Sequence, residues 1–368
     1  MRSNVLLKVI RRTWRLPDGV PSDVENFLSD NLSAHLKWVF KYLKRRVFYF
    51  VLVEHFGFTP EQKQILSKHK KILWLNLAAP SLGDSLMDLS ARCMLEDREL
   101  ILLTDQKNAP LFLKDRYFSA VYSSVRQLWI DGHCGSFDLV ICDSYSPRVL
   151  LKKIIAAPRV DFVGLYGFVN GFEVHRTYFA FARMRELLSQ RECLFKVRPT
   201  LSIPKSGLSS RHFDVCVAIG GEWGFRTYKH WAAVLTWIVS RKFSVVLVGS
   251  NNGSELAMEI QTLLPDIQSF VGLSTLPDVI KQINSADVFI GADGGLWHVA
   301  CALSKPSVVL FADCQIFDSG GQRITRETTD IFCESLYDEA SVSNIHSTRV
   351  IGAFKRLHAK LTEQNPGD

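Results

Sequence analysis

The sequence predicts an α/β protein built from two tandem, doubly wound parallel-sheet halves, and three observations carry that expectation. From Lys71 onward, short runs rich in Val, Ile and Leu alternate with stretches of helical period, the pattern of parallel strands covered on both faces by crossover helices. The alternation breaks once, at 199–210, where Pro, Ser and Gly replace periodicity, and then restarts, which marks an interdomain linker. The chain has 368 residues, more than one hydrophobic core usually serves. In such folds ligands bind outside the carboxyl ends of the strands, so two halves imply a cleft between two such edges.

The elements follow in order. Residues 1–70 read as helical: Leu36, Val39, Phe40, Leu43, Val47 and Phe50 recur at three and four, while Lys37, Lys41 and Lys44 fall on another face. Ser33 is the expected N-cap of this helix, and Thr59-Pro60-Glu61 predicts the start of a second, short one. In the first half, strands are expected at 72–77, 100–103, 138–142 and 160–165, with a turn at 78–83 and a helix at 84–95. In the second half, strands at 215–219, 244–248, 269–271, 287–290 and 307–311 alternate with helices at 229–241, 253–263, 277–285 and 294–303. A closing helix at 343–361 is expected to pack back across the cleft region. The domain plan is a basic helical extension at 1–70, a first Rossmann-like domain at 71–205, a second at 206–345, and a closing helix and tail at 346–368.

Charge is uneven along this plan. The formal net charge is +7, but residues 1–46 hold ten Lys/Arg against four Asp/Glu, which leaves 34 against 33 for the rest. A nearly neutral body argues against a nucleic-acid partner. The basic extension fits either an extra helical layer on the first half or an anionic membrane surface. The longest apolar run near the start, Val47 to Val53, is far short of the roughly 20 residues a spanning helix needs. Lys8 breaks the only early apolar stretch, so no secretory signal is expected. Eight scattered cysteines without a Cys-x-x-Cys pair predict reduced, mostly buried thiols and no zinc site. The expected location is the cytoplasm, with the inner face of the cytoplasmic membrane as the surface the extension would meet.

Three stretches offer chemistry. Leu82-Gly83-Asp84-Ser85 lies at the turn from the first strand into its helix, where Gly83 permits close backbone approach. Asp84 there reads as a helix cap or as a general base at the cleft mouth, with Asp88 one turn on as a solvated neighbour. Gly220-Gly221-Glu222-Trp223-Gly224-Phe225-Arg226-Thr227-Tyr228-Lys229-His230-Trp231 follows the first strand of the second half. Lys229, at the expected helix start, is a point charge for phosphate, and the alternative is a surface loop over a buried Trp231. The loop is neither a dinucleotide fingerprint nor a Walker motif. The third stretch, Gly291-Ala292-Asp293-Gly294-Gly295-Leu296-Trp297-His298, ends a buried strand and begins a helix. Free N–H groups and the positive helix end make it an anion site, with Asp293 and His298 near the same mouth, although each also reads as a cap or a satisfied polar residue.

Gly83-Asp84, Lys229-His230-Trp231 and Asp293-Gly294-Gly295-Leu296-Trp297-His298, in that order and at about that separation, resemble the heptosyltransferase family, glycosyltransferase family 9. Gly272-Leu273-Ser274-Thr275-Leu276-Pro277 resembles the family's segment that meets the nucleotide base, and the likeness runs from Lys71 to Leu361. It implies the GT-B fold and inverting, metal-independent transfer of a sugar, typically heptose, from a nucleotide diphosphate such as ADP-heptose to a lipopolysaccharide-type acceptor. No cofactor is implied. Carried over residue by residue, Asp84 would be the general base. Gly83, Lys229, Ser274, Leu276, Asp293, Gly294, Gly295 and His298 would bind the nucleotide sugar. Gly294 replaces the family's usual hydroxyl residue, and Phe225 stands where hydroxyls are common, so backbone contacts would carry more of the diphosphate. The extension at 1–70 has no counterpart in the typical member. Two other classes compete: an epimerase-like sugar-nucleotide enzyme, and a nucleotide-sugar-binding protein without transfer.

Overall fold

The structure is a computed structural model that describes residues 20, 32–57, 60–168, 175–190, 196–202, 211–312 and 333–364, with side chains of the first helix from Phe40 onward. The chain divides into two compact units at Pro199 and Thr200, a little upstream of the expected boundary. Residues 203–210 of the expected linker lie outside the described residues.

The first unit is built on five parallel strands, β1 (Lys71–Asn76), β2 (Glu99–Thr104), β3 (Phe118–Tyr122), β4 (Leu139–Cys142) and β5 (Phe162–Gly164), in the order β3-β2-β1-β4-β5. The apolar run of β1 is buried because it has a neighbour on each side: Leu73 lies opposite Ile101 of β2 and Val140 of β4. β3 was not expected. Its Phe-Ser-Ala-Val-Tyr sequence is a short edge strand with Ser119 exposed, and its register shifts against β2. The helix expected at 84–95 is instead a helix at Leu82–Asp88 followed by a 3-10 turn at Ser90–Leu95. Helices at Val125–Ile130, Pro147–Ala156 and Arg176–Leu187 were also unforeseen. The last of these buries Arg176 and Thr177 and so lacks a clean apolar stripe.

The extension forms a helix at Leu32–Tyr49 that runs into a wider turn at Phe50–His55. Ser33 is inside the helix, not its cap. Arg45 and Tyr49 face the body: Arg45 Nη1 donates to the Phe168 carbonyl at 3.1 Å, and the Tyr49 ring meets those of Tyr145 at 4.9 Å and Phe168 at 5.3 Å. The stripe of Phe40, Leu43, Val47 and Phe50, expected from its periodicity, is exposed. The side chains of Leu36 and Val39 lie outside the described residues, as does Thr59. No helix starts at Pro60-Glu61. Phe162 N donates to Pro60 O at 3.1 Å and Gln62 N to Phe162 O at 2.7 Å, so this segment pairs with the open edge of β5. Pro60 supplies only its carbonyl, the one group its backbone has for such pairing.

The second unit carries six parallel strands, β6 (Phe213–Ala218), β7 (Val245–Val248), β8 (Gln268–Ser269), β9 (Ala286–Ala292), β10 (Ser307–Ala312) and β11 (Cys333–Asp338), in the order β11-β10-β9-β6-β7-β8. In each unit the first strand is central, the next two lie to one side and the rest to the other. The direction therefore reverses between β1 and β4 and between β6 and β9, the places where doubly wound sheets bind ligands. β11 was missed because only Leu336 of its six residues is fully buried. The closing helix runs Ser347–Gln364 and packs on its own sheet. Val350, Ala353, Phe354 and Leu357 are buried, and Phe354 meets Phe243 at 5.3 Å and Trp237 at 6.3 Å. Among the described residues no helix is long and apolar enough to cross a membrane.

Candidate active site

The loop after β6 is shaped by a close approach of backbones. Gly220 has φ +79°, and a Cβ there would lie 2.9 Å from both Asn252 Oδ1 and Gly253 Cα. Only glycine accommodates both constraints. Asn252 Nδ2 donates to Gly221 O at 2.6 Å, tying this loop to the one after β7. A 3-10 turn at Gly224–Arg226 follows, and then a stretch fastened by Ser343. Ser343 Oγ donates to Thr227 O at 2.7 Å and accepts from Lys229 N at 3.2 Å, while His230 Nε2 meets Ser343 O at 2.8 Å. The helix begins at Trp231, which is fully buried, so Lys229 stands in the exposed turn before the helix and not at its start.

The loop after β9 starts with Asp293, whose N–H donates to Leu310 O at 2.9 Å. Gly294 is extended, with φ 174°, and is the N-cap of the helix Gly295–Ala302. Having no side chain, it makes no cap hydrogen bond, so the first-turn N–H groups keep their capacity for an anion. Asp293 sits between side chains of two different elements: Arg226 Nη2 is 3.5 Å from its Oδ2, and His298 Nε2 is 4.0 Å from its Oδ1. This Arg226–Asp293–His298 group bridges the two loops at the reversal point between β6 and β9. Arg226 also lies over the Phe225 ring at 5.5 Å, and its Nε is buried without a hydrogen-bond partner among the described residues. Sequence reasoning did not single out Arg226. Its signal was a guanidinium three residues before Lys229 in a glycine-rich loop.

Ser274 and Leu276 lie elsewhere, beyond β8. Ser274 borders a hollow of about 640 Å³ with Arg211, Gln268 and Lys281. Leu276 opens the helix Leu276–Ser285, which is capped by Thr275, whose Oγ1 donates to Asp278 Oδ2 at 2.6 Å.

In the first unit, the helix after β1 is capped by Ser81, and Asp84 is its third residue. Ser81 N and Oγ donate to Asp84 Oδ2 at 3.1 and 2.6 Å, and Asp84 N donates back to Ser81 Oγ at 3.3 Å. This is a capping box. The other carboxylate oxygen, Oδ1, lies 3.5 Å from Arg176 Nε. Gly83 is buried at the second helical position. Asp88 is not a solvated neighbour: it is 1% exposed and held by Arg176 through two hydrogen bonds of 2.8 and 2.5 Å. Burial pushes its carboxyl up, with Arg176 pulling against it. The pairing is not visible in the sequence, because Arg176 arrives from a helix 88 residues downstream.

A further buried carboxylate closes this edge. Asp143, just after β4, accepts from Leu77 N at 2.7 Å and Ala78 N at 2.6 Å, fastening the loop after β1 across the reversal point. Burial pushes its pKa up to about 7 despite those bonds. The available signal was an Asp following a buried strand.

One cluster among the described residues has metal-ligand character, His212, Asp214 and Asp287. It lies at the opposite end of the sheet, where β6 and β9 begin, and Asp214 Oδ2 is already bonded to Ser244 N and Oγ, each at 2.6 Å.

Residues 215–318 match the family model of glycosyltransferase family 9 (heptosyltransferase). No curated protein matches the chain by sequence. The structure of E. coli ADP-heptose lps heptosyltransferase II superposes with a TM-score of 0.60 at 19% identity, covering 79% of this chain and 99% of that one. The glycosyl transferase family 9 protein from Veillonella parvula DSM 2008 superposes with a TM-score of 0.61 at 14% identity, covering 81% and 100%. E. coli heptosyltransferase WaaC with ADP-2-deoxy-2-fluoro heptose gives 0.55 at 12% identity, covering 77% and 99%. The two parallel-sheet units thus have the GT-B fold of these structures, as expected from sequence.

Proposed function

We propose that this chain, whose second unit carries a glycosyltransferase family 9 (heptosyltransferase) domain, transfers a sugar from a nucleoside diphosphate donor to a saccharide acceptor. Heptose is the sugar, ADP-heptose the donor, and the acceptor is a lipid-linked glycan of the lipopolysaccharide type. The observation that carries this reading is the Arg226–Asp293–His298 group beside the helix start at Gly294-Gly295, inside the matched domain. Glycosyl transfer from such a donor builds negative charge on the departing diphosphate. Lys229 and the N–H groups of Gly295 and its neighbours supply positive charge to it from the protein alone, so the reaction is read as metal-independent. Asp293, framed by Arg226 and His298, orients the sugar, and His298 fixes the start of its helix or meets phosphate. Ser274 and Leu276 meet the base.

The acceptor hydroxyl must lose its proton as it attacks the anomeric carbon. Asp84 is the base in this reading, and direct attack inverts the anomeric centre. Its Oδ2 is held by Ser81 and its Oδ1 faces Arg176, so the carboxylate is positioned rather than mobile. The same engagement favours one second reading, a nucleotide-sugar-binding protein without transfer, in which Asp84 is only a cap.

Asp84→Asn separates the two, since an amide oxygen can still accept from Ser81. Turnover of ADP-heptose with a lipid-linked acceptor is expected to fall about 10²–10⁴-fold with ADP affinity retained. Unchanged turnover in the variant would remove Asp84 from the chemistry. A wild-type chain that binds ADP yet transfers nothing would favour the second reading.

A further inference from the structure

From Phe40 onward, the helix Leu32–Tyr49 is docked on one side and exposes apolar side chains on the other. Its docked side is polar and aromatic: Tyr42 meets Phe168 at 5.7 Å, Arg45 bonds the Phe168 carbonyl, and Tyr49 is buried against Tyr145. The opposite side presents Phe40 (70% exposed), Leu43 (49%), Val47 (58%) and Phe50 (52%). Steps of three and four along a helix put these four in one stripe. Single exposed apolar side chains are ordinary, whereas a continuous row of them marks an interaction surface.

Lys44 is exposed beside the stripe, while Arg46, on its other border, is paired with Glu54 at 3.6 Å and lies over the Phe168 ring at 5.3 Å. The segment these two cations belong to, 1–46, holds ten Lys/Arg against four Asp/Glu, while the remaining chain is almost neutral. An apolar row with cationic borders matches one kind of partner in both respects: acyl chains for the row and lipid phosphates for its borders. A second copy of the chain would match the row but set two cationic borders against each other. The helix does not meet the length and apolarity of a spanning segment, so it would lie in the interface plane.

We propose that this stripe docks the protein onto an anionic membrane surface, with Phe40, Leu43, Val47 and Phe50 entering the acyl boundary and Lys44 meeting headgroup phosphates. Because Arg45 and Tyr49 hold the helix to the first unit, that unit is carried to the bilayer rather than tethered at a distance. The proposal is independent of which sugar, if any, the chain transfers.

The test is flotation of the full chain with phosphatidylcholine vesicles and with vesicles also containing phosphatidylglycerol. The chain is expected to float with the anionic vesicles, and added salt should release it. The variant Phe40→Ser/Leu43→Ser/Val47→Ser/Phe50→Ser should bind about tenfold or more weakly. These side chains are exposed, so the melting temperature should not move, and that is measured alongside. A second variant, Lys44→Glu, keeps the stripe and should weaken the preference for anionic vesicles. Equal flotation of the stripe variant and wild type would overturn the proposal. So would failure of wild type to bind anionic vesicles. A dimer in sedimentation that the stripe variant abolishes, without vesicle binding by either, would assign the face to a second copy and overturn it too.

Discussion

Arg176 grips Asp88 with two bonds, Nε to Oδ1 at 2.8 Å and Nη2 to Oδ2 at 2.5 Å, at a place where the two residues are only 7% and 1% exposed. Removing one partner of a buried pair strands the other charge. Arg176→Ala is therefore expected to cost about 3–5 kcal/mol in urea unfolding, whereas Arg176→Met with Asp88→Leu should recover much of it. Arg176 also faces Asp84, so the single variant should reduce transfer even under conditions where it is folded. A loss below about 1 kcal/mol would show that the pair is solvated in solution.

Arg226 should matter for phosphate and not for the nucleoside. Its Nε is unpaired and its distance to Asp293, 3.5 Å, is longer than a good hydrogen bond. A diphosphate would complete its donor set. Arg226→Ala should weaken ADP binding by about 10- to 100-fold, as loss of a charged hydrogen bond does, and leave adenosine binding unchanged, measured by calorimetry. If ADP affinity held while stability fell, Arg226 would serve only to frame Asp293.

Tyr228 is 1% exposed and its hydroxyl has no partner among the described residues, while its ring meets Trp231 at 4.9 Å. An unsatisfied buried hydroxyl costs free energy. Tyr228→Phe should leave stability unchanged or raise it by up to about 1 kcal/mol. A clear fall in the denaturation midpoint would reveal a partner for the hydroxyl.

Asp143 predicts a pH dependence of defined sign. Its folded pKa, about 7, lies above the ordinary 3.8, so the folded state holds a proton that the unfolded chain gives up. The resulting stabilisation is complete below about pH 4 and is lost as pH rises through 7. Asp143→Asn should flatten this part of the stability profile between pH 4 and 8. Asp88 shifts in the same direction, so a residual slope should remain in the variant. An unaltered profile would contradict the assignment.

The sheets were legible because their central strands, such as Lys71–Asn76 and Ser307–Ala312, are nearly continuous apolar runs. Two of the four outermost strands were not: Phe118–Tyr122 and Cys333–Asp338 mix polar, partly exposed residues into short stretches, whereas Phe162–Gly164 and Gln268–Ser269 fall in or beside expected runs. The periodicity of the first helix was legible, but which of its sides docks was not. A stripe of apolar residues says that a face exists, while which face docks was decided by Arg45 and Tyr49 finding Phe168 and Tyr145. Local motifs located Asp84, Lys229, Asp293 and His298. Their partnerships were invisible because they join distant positions: Asp88 with Arg176, Asp293 with Arg226, and Asp143 with the loop at Leu77.

Ser343 fastens Thr227, Lys229 and His230 from 113 to 116 residues downstream. During synthesis, then, the loop bearing Lys229 leaves the ribosome long before its clasp exists. Strands and helices of the second unit can form as they emerge, but this loop acquires its native frame only once Ser343 is out. The native frame of this loop is accordingly a late event in the life of the newborn chain, and truncated products would fold much of the unit while lacking it.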